Sequence, residues 1–347
     1  MSKSFKKAFN LVYSALFRTI TETYFAKYDS DIEDFDPELP SKDNFSTIGV
    51  AVSGGADSLA LAAVTKKAAN ARELKTLAII IDHQMQKGSS EVARKAAEQC
   101  RKLGFDTVEI ERVDVNVKEG GPEAAARRSR YEALERIAKK NNAYNVFLGH
   151  TLNDQAETVL LSLARGSGTA ALGGMREYNG IFFRPFLSLS REETEEICKE
   201  ANLEFFSDPT NGKKGEKNST LPLRSQVRNT LIPQMKEILG KDIEKQLAKS
   251  AAQIAEDDDC LNMMADEEFE DLLISAPQND MIRLSAENLE EYPKSITTRF
   301  IKIALEQIGM DMSRLLAAHI SNIADLIYDF DDQKALNLPG TKVSRIG

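Results

Sequence analysis

The sequence predicts a doubly wound, mostly parallel α/β sheet followed by a small, mainly helical domain. Three observations carry that prediction. From residue 46 to about 235, short apolar β-branched runs alternate with helical stretches, as in repeated strand–helix–strand units. The first apolar run, 47–52, passes through two glycines straight into a good helix former, a tight turn of the kind that carries ligands in such sheets. Beyond Pro233 the strand signal stops and an acidic, Leu- and Met-bearing helical pattern takes over.

The elements follow in order. Phe5, Phe9, Val12, Leu16, Ile20 and Tyr24 recur at helical spacing and predict a leading helix over 5–25, after which an acidic, proline-bearing stretch has no period. Strands are expected at 47–52, 74–82, 107–115, 144–150 and 181–186. Helices are expected at 59–69, 89–103, 122–140, 154–164 and 190–202. The turn-rich, basic segment 208–228 reads as a mobile loop. Residues 235–273 and 279–330 read as helical, with breaks near Pro277 and Pro293. The domains expected are 1–45, a helix and linker; 46–235, the α/β domain; and 236–347, the helical domain. Such a helical domain leaves a homodimer open.

Composition narrows the function. With 347 residues, 42% hydrophobic and 29% charged, the chain folds. Its uncharged stretches are too short or too polar to span a bilayer, and no cleavable leader pattern opens it, so a cytoplasmic location is expected. Cys100, Cys198 and Cys260 form neither a disulfide framework nor a CxxC pair. His83, His150 and His319 have no metal-site spacing, which argues against a transition metal. Residues 1–235 hold 33 basic and 32 acidic side chains, whereas 236–347 hold 12 and 22. Nucleic acid would therefore have to be held by local basic surface.

The strongest chemical signal is Ser53-Gly54-Gly55-Ala56-Asp57-Ser58 between the first strand and its helix. Two glycines let backbone approach an anion, the serines add donors, and the helix start presents free N–H groups, which together make a phosphate cradle. The lysine of a Walker loop is absent, and Asp57 is placed to hold Mg²⁺ against phosphate. Asp154 and Glu157, three apart, would share one helix face, as would Arg127 and Arg130. The carboxylates suit a cationic substrate and the guanidiniums suit phosphate. Asp82, His83 and His150 sit at strand ends, where the histidines either contact nucleotide or fill a structural role. Lys213, Lys214, Lys217, Arg224 and Arg228 lie in the stretch 210–236, which with Lys236 and against Glu216 alone has a net charge of +5 and is either an RNA-backbone clamp or a solvated surface.

The SGGxDS loop resembles that of the PP-loop ATP pyrophosphatases (adenine nucleotide alpha hydrolase-like), and the further motifs resemble tRNA(Ile)-lysidine synthetases. These motifs are Asp82-His83; Glu123 through Arg127 to Arg130-Tyr131; Gly149-His150 through Asp154 and Glu157 to Arg165-Gly166; Arg184-Pro185; Asp208 to Asn211; and Arg224 to Arg228. The resemblance covers about residues 46–235. It implies ATP and Mg²⁺ as cofactors, and free L-lysine and a CAU-anticodon tRNA(Ile) as partners. The reaction it implies is adenylation of C2 of the wobble cytidine followed by attack of the lysine ε-amine, with AMP and diphosphate released. It further implies Ser53 to Ser58, Asp82, His83 and His150 at ATP, with Asp57, Arg127, Arg130, His150, Asp154 and Glu157 as the catalytic set. Asp154 and Glu157 would hold lysine, while Lys213, Lys214, Lys217, Arg224 and Arg228 and the helical domain would hold tRNA. Asn153 departs from the family's usual aspartate, replacing a carboxylate by a neutral amide. The rival readings are a tRNA thiolase, a small-molecule amide synthetase and an inactive nucleotide- or RNA-binding module.

Overall fold

A computed structural model describes residues 1–28, 47–82, 84, 88–113, 121–207, 221–278, 281–310, 312, 315, 317–328 and 335–346. The chain divides into two compact units, residues 1–161 with 175–248, and residues 162–174 with 249–347.

The first unit is built on a six-stranded sheet. Its elements are α1 (Lys3–Tyr28), β1 (Thr47–Ala51), α2 (Ala56–Asn70), β2 (Lys75–Asp82), α3 (Ser89–Leu103), β3 (Thr107–Arg112), α4 (Gly121–Lys140) and β4 (Ala143–Phe147). Along the chain then follow α5 (Leu152–Ala164), α6 (Thr169–Leu172), which belongs to the second unit, β5 (Tyr178–Asn179), β6 (Phe182–Phe183), α7 (Arg191–Glu200), α8 (Leu223–Gln226), a π-helical turn (Val227–Leu231), α9 (Ile232–Leu239) and α10 (Ile243–Glu268), whose residues from 249 on belong to the second unit. Strand order is β3-β2-β1-β4-β6-β5, and every pairing is parallel except that of β5 with β6. The order reverses between β1 and β4, and in a doubly wound sheet that is where the crevice for ligands opens.

Alternation along the strands feeds two cores. In β2, Ala78 and Ile80 face a core that holds Phe5, Val12 and Leu16 of α1, Leu59 and Leu61 of α2, and Ile197 of α7. Leu77 and Ile79 face the opposite core with Leu134, Ile137 and Val146. Both faces of the sheet are therefore covered, as a parallel sheet requires. Helix α7 begins with a full capping box: the Ser190 hydroxyl accepts from the Glu193 N–H and the Glu193 carboxylate accepts from the Ser190 N–H.

The basic segment read as a loop is helical in its second half, since α8 and the π-helical turn carry Arg224 and Arg228. Lys213, Lys214, Lys217 and the stretch 208–211 lie outside the described residues.

The second unit is mainly helical, with α11 (Ala286–Glu290), α12 (Lys294–Gln307) and α13 (Ala317–Tyr328). Phe269, Phe300, Leu289, Ile320 and Ile323 form its core. Arg299 pairs at 2.6 Å with Asp258, which also accepts from Thr169 at 2.6 Å. Two short antiparallel hairpins accompany the helices, β7 (Leu273–Gln278) with β8 (Met281–Leu284), and β9 (Leu336–Leu338) with β10 (Thr341–Val343). The first falls in a stretch that the sequence presents as helical, because a short apolar run carries no decisive period.

Candidate functional site

The glycine turn after β1 sits at the reversal of strand order. Gly54 has φ +87°, a conformation glycine adopts freely, and a Cβ there would press on Val92 Cγ1 at 3.0 Å. Gly55 precedes α2 in extended conformation, leaving the N–H groups of the first turn directed outward. Ser58 organises the turn, for its hydroxyl accepts from the Ser53 N–H at 3.1 Å and donates to the Gly55 carbonyl at 3.0 Å. The strand end of β4 closes on this loop. A Cβ on Gly149 would lie 3.0 Å from backbone atoms of Asp57 and Ser58, so only a glycine permits this approach.

Asp57, in the first turn of α2, accepts at 2.5 Å from the Thr194 hydroxyl on α7. Burial pushes its carboxyl above the ordinary range and Asp154 adds to that, while Thr194, Arg191 and Arg228 pull it back. Among the described residues no cluster of three His, Cys, Asp or Glu forms a protein cage for a metal. One carboxylate beside a phosphate cradle fits Mg²⁺, which is commonly held by a single carboxylate, phosphate oxygens and water.

Asp154 and Glu157 share a face of α5, and each meets two guanidiniums. Glu157 is wholly buried and accepts from Arg224 Nε at 2.7 Å and Arg228 Nη2 at 2.9 Å. Asp154 Oδ1 accepts from Arg228 Nη2 at 3.2 Å and Arg224 Nη2 at 3.3 Å. Its other oxygen caps the helix, taking the Thr151 N–H at 3.0 Å and hydroxyl at 3.1 Å. Burial would raise Asp154, but Arg224, the Thr151 N–H, His150 and Arg228 outweigh it and hold the carboxyl below its usual range. Both carboxylates thus already bind cations.

Arg127 and Arg130 flank Tyr131, their guanidinium carbons 5.0 and 5.4 Å from its ring centroid. His150 follows β4 with its Nδ1 buried and unpartnered among the described residues. Burial drives its pKa to about 3; Asp154 opposes this and Arg130, Arg184 and Arg127 reinforce it, so the imidazole is neutral at working pH.

Asp82 is buried at the end of β2, where it accepts from Ser90 Oγ at 2.7 Å and the Gln84 N–H at 3.1 Å. Burial opposes ionisation, but the Ser89 and Ser90 hydroxyls and the Gln84 N–H hold the carboxyl below its ordinary range. His83 lies outside the described residues. Asn153 accepts from the Arg191 N–H at 2.9 Å and donates to Glu244 at 2.9 Å, joining the starts of α5, α7 and α10.

Comparison with known proteins decides the family. A PP-loop domain model matches residues 27–235. The tRNA(Ile)-lysidine synthase of Leifsonia xyli subsp. xyli is 39% identical over 297 residues, 85% of this chain and 86% of that protein. The chain belongs to the tRNA(Ile)-lysidine synthase family. The Thermobifida fusca tRNA(Ile)-lysidine synthase is 38% identical over 301 residues, covering 86% of this chain and 89% of its own. The Cutibacterium acnes tRNA(Ile)-lysidine synthase is 43% identical over 217 residues, covering 62% and 67%. As a member of the tRNA(Ile)-lysidine synthase family the chain is an ATP-using ligase that forms a C–N bond. Among the described residues no helix is long and apolar enough to cross a membrane.

Two participants were not legible in the sequence, and a third, Arg184, stood there in the Arg184-Pro185 motif with no role attached. Thr194 and Glu244 meet the site only through tertiary contact, and their one local hint is the Ser190/Glu193 capping box that fixes where Thr194 falls on α7.

Proposed function

We propose that the protein converts the wobble cytidine of a CAU-anticodon tRNA(Ile) to lysidine, using ATP and free L-lysine. In the first step the C2 oxygen of cytidine attacks the α-phosphate of ATP, and the bond to diphosphate breaks. In the second, the lysine ε-amine attacks C2, the C2–O bond breaks, AMP leaves with that oxygen, and the amine gives up a proton.

Ser53 to Ser58 would hold the departing diphosphate through backbone N–H groups and hydroxyls, with Asp82, His83 and His150 bordering the nucleotide. Asp57 would hold Mg²⁺, which when bound neutralises phosphate charge. Arg127 and Arg130 would stabilise charge developing on the α-phosphate. Asp154 and Glu157 would receive lysine. The reading is supported by their existing cationic partners, since an ammonium offers the same kind of donor as the guanidinium it would displace. Neutral His150 adds no positive charge beside an ammonium. Arg224, Arg228, Lys213, Lys214 and Lys217 would meet the RNA backbone.

The observation that carries the reading is that Asp57 of the glycine turn feels the charges of Asp154 and Arg228, so that the turn adjoins a carboxylate pair held by arginines from the basic segment. It is tested by incubating the protein with ATP, Mg²⁺, labelled lysine and a CAU-anticodon tRNA transcript, omitting each in turn. RNA-bound label that needs all four is the expected result. AMP without label would refute the lysine step, and no AMP would refute the adenylation.

A further inference from the structure

Arg184 follows β6, is only 5% exposed, and makes no ion pair among the described residues. Its Nη1 donates to the Arg176 carbonyl at 2.9 Å and it bonds the Tyr131 hydroxyl, yet its buried Nε has no partner. An interior guanidinium without a carboxylate is costly unless something anionic joins it.

It does not stand alone. Tyr131 packs edge-on against Phe182 at 4.8 Å, which anchors the ring to the sheet. Arg127 Nη2 donates to the Tyr131 hydroxyl at 3.3 Å, and the buried Nε of Arg130 is unpartnered like that of Arg184. One tyrosine therefore gathers three guanidiniums beside the ends of β4 and β6. Among the described residues the acids beside them do not balance them, because Asp154 and Glu157 are occupied by Arg224 and Arg228 and Asp57 by Thr194. Among the described residues five guanidiniums thus meet three carboxylates, and His150, its Nδ1 also unpartnered there, adds no negative charge.

We propose that Arg184, with Arg127 and Arg130 arranged around Tyr131, forms a pocket for one phosphate group of a substrate, with Arg184 as its buried arm. The inference rests on the reading of the protein as an enzyme that joins ATP and RNA, and extends it to a residue for which that reading has no role. A phosphate ester offers several acceptor oxygens to the orphaned Nε groups, and planar guanidiniums bind it through paired donors. ATP and the RNA backbone both present that group.

The test separates the two sources and does not depend on turnover. ATP binding is measured by equilibrium dialysis without RNA, and binding of a CAU anticodon stem–loop by filter retention without ATP. Both are done with wild type and with Arg184→Met, Arg184→Lys, Tyr131→Phe and the exposed control Arg101→Met. Arg184→Met is expected to weaken one ligand about tenfold or more, the cost of one charge-assisted bond. Arg184→Lys, which keeps charge without the fork, falls between. Weakened ATP binding alone assigns the pocket to the nucleotide. Weakened RNA binding alone, with a salt slope lower by about one unit, assigns it to a backbone phosphate. If Arg184→Met fails to fold, Arg184→Lys and Tyr131→Phe carry the test. Unchanged affinity for both ligands, within the spread of Arg101→Met, overturns the proposal. Failure of lysidine formation with phosphate binding intact would instead overturn only the reaction reading.

Discussion

Asn153→Asp is the most demanding test of the site's architecture, because the change is isosteric and removes one hydrogen bond. The amide of Asn153 donates to Glu244 at 2.9 Å, and Glu244 is 8% exposed and ion-paired with Lys236. An aspartate still accepts from the Arg191 N–H, but it brings a second carboxylate against the first. Two like charges at about 4 Å repel by about 4 kcal/mol at an effective dielectric constant of about 20. The lost hydrogen bond adds about 1 kcal/mol. Favourable placement at the N-terminus of α7 and partial protonation return about 2 kcal/mol. The net is a loss of about 3 kcal/mol at neutral pH. The repelled carboxylate has a folded pKa raised above its unfolded value. The penalty is therefore absent below the unfolded range, near pH 4, grows as pH rises, and levels off above the raised folded pKa. Urea denaturation at pH 5 and pH 7.5 should show the larger loss at pH 7.5. Glu244→Gln in the Asn153→Asp background should recover most of it and restore kcat together with the KM for lysine. A single variant within about 0.5 kcal/mol of wild type at pH 7.5, the usual range of surface changes, would refute the reasoning. So would a double variant no better than the single.

Three further outcomes follow from the same geometry. Gly149→Ala puts a methyl 3.0 Å from the Asp57 and Ser58 backbone, so ATP affinity should fall at least tenfold while helical circular dichroism stays near wild type; unchanged affinity would contradict the close approach. The His150 imidazole, with its pKa near 3, should show no titration by NMR between pH 5 and 8. Its contribution to stability is full above its unfolded value of about 6.5 and declines as pH falls from there towards 3, so an inflection near neutrality would refute the burial account. Burial pushes the Cys100 and Cys198 thiols up to about 12, whereas Cys260 is exposed, so a thiol reagent should label one cysteine per native chain; rapid labelling of two or three would show the first unit to be open.

Much of this was legible in the amino-acid order because local physics decides it. The turn at Gly54 and Gly55 needs only a strand, two small residues and a helix former, and α7 begins where Ser190 and Glu193 can cap each other. The spacing of Asp154 and Glu157 places them on one face of α5. Which cations they meet is a different kind of fact. Arg224 and Arg228 lie about 70 residues away, in a stretch whose glycines, serines and lysines mask the short helix at its end. The neutral amide at 153 was visible, but its match to Glu244, 91 positions on, depends on how two helices pack. The hairpin of β7 and β8 escaped because its few apolar residues fit a helix or a strand equally well.

The π-helical turn from Val227 to Leu231 has a consequence for how this chain can vary. Such a turn is an α-helix carrying one surplus residue, so the run from Leu223 to Leu239 is out of phase with itself by about 100°. That offset lets Val227 and Ile232 both rest on Ala156 while Arg224 and Arg228 reach the acids of α5. A deletion of one residue here would give a smoother helix with better backbone bonds, and would swing Ile232 off its seat. The segment keeps the less regular winding, and its length is consequently far less free to change than that of an ordinary connecting helix.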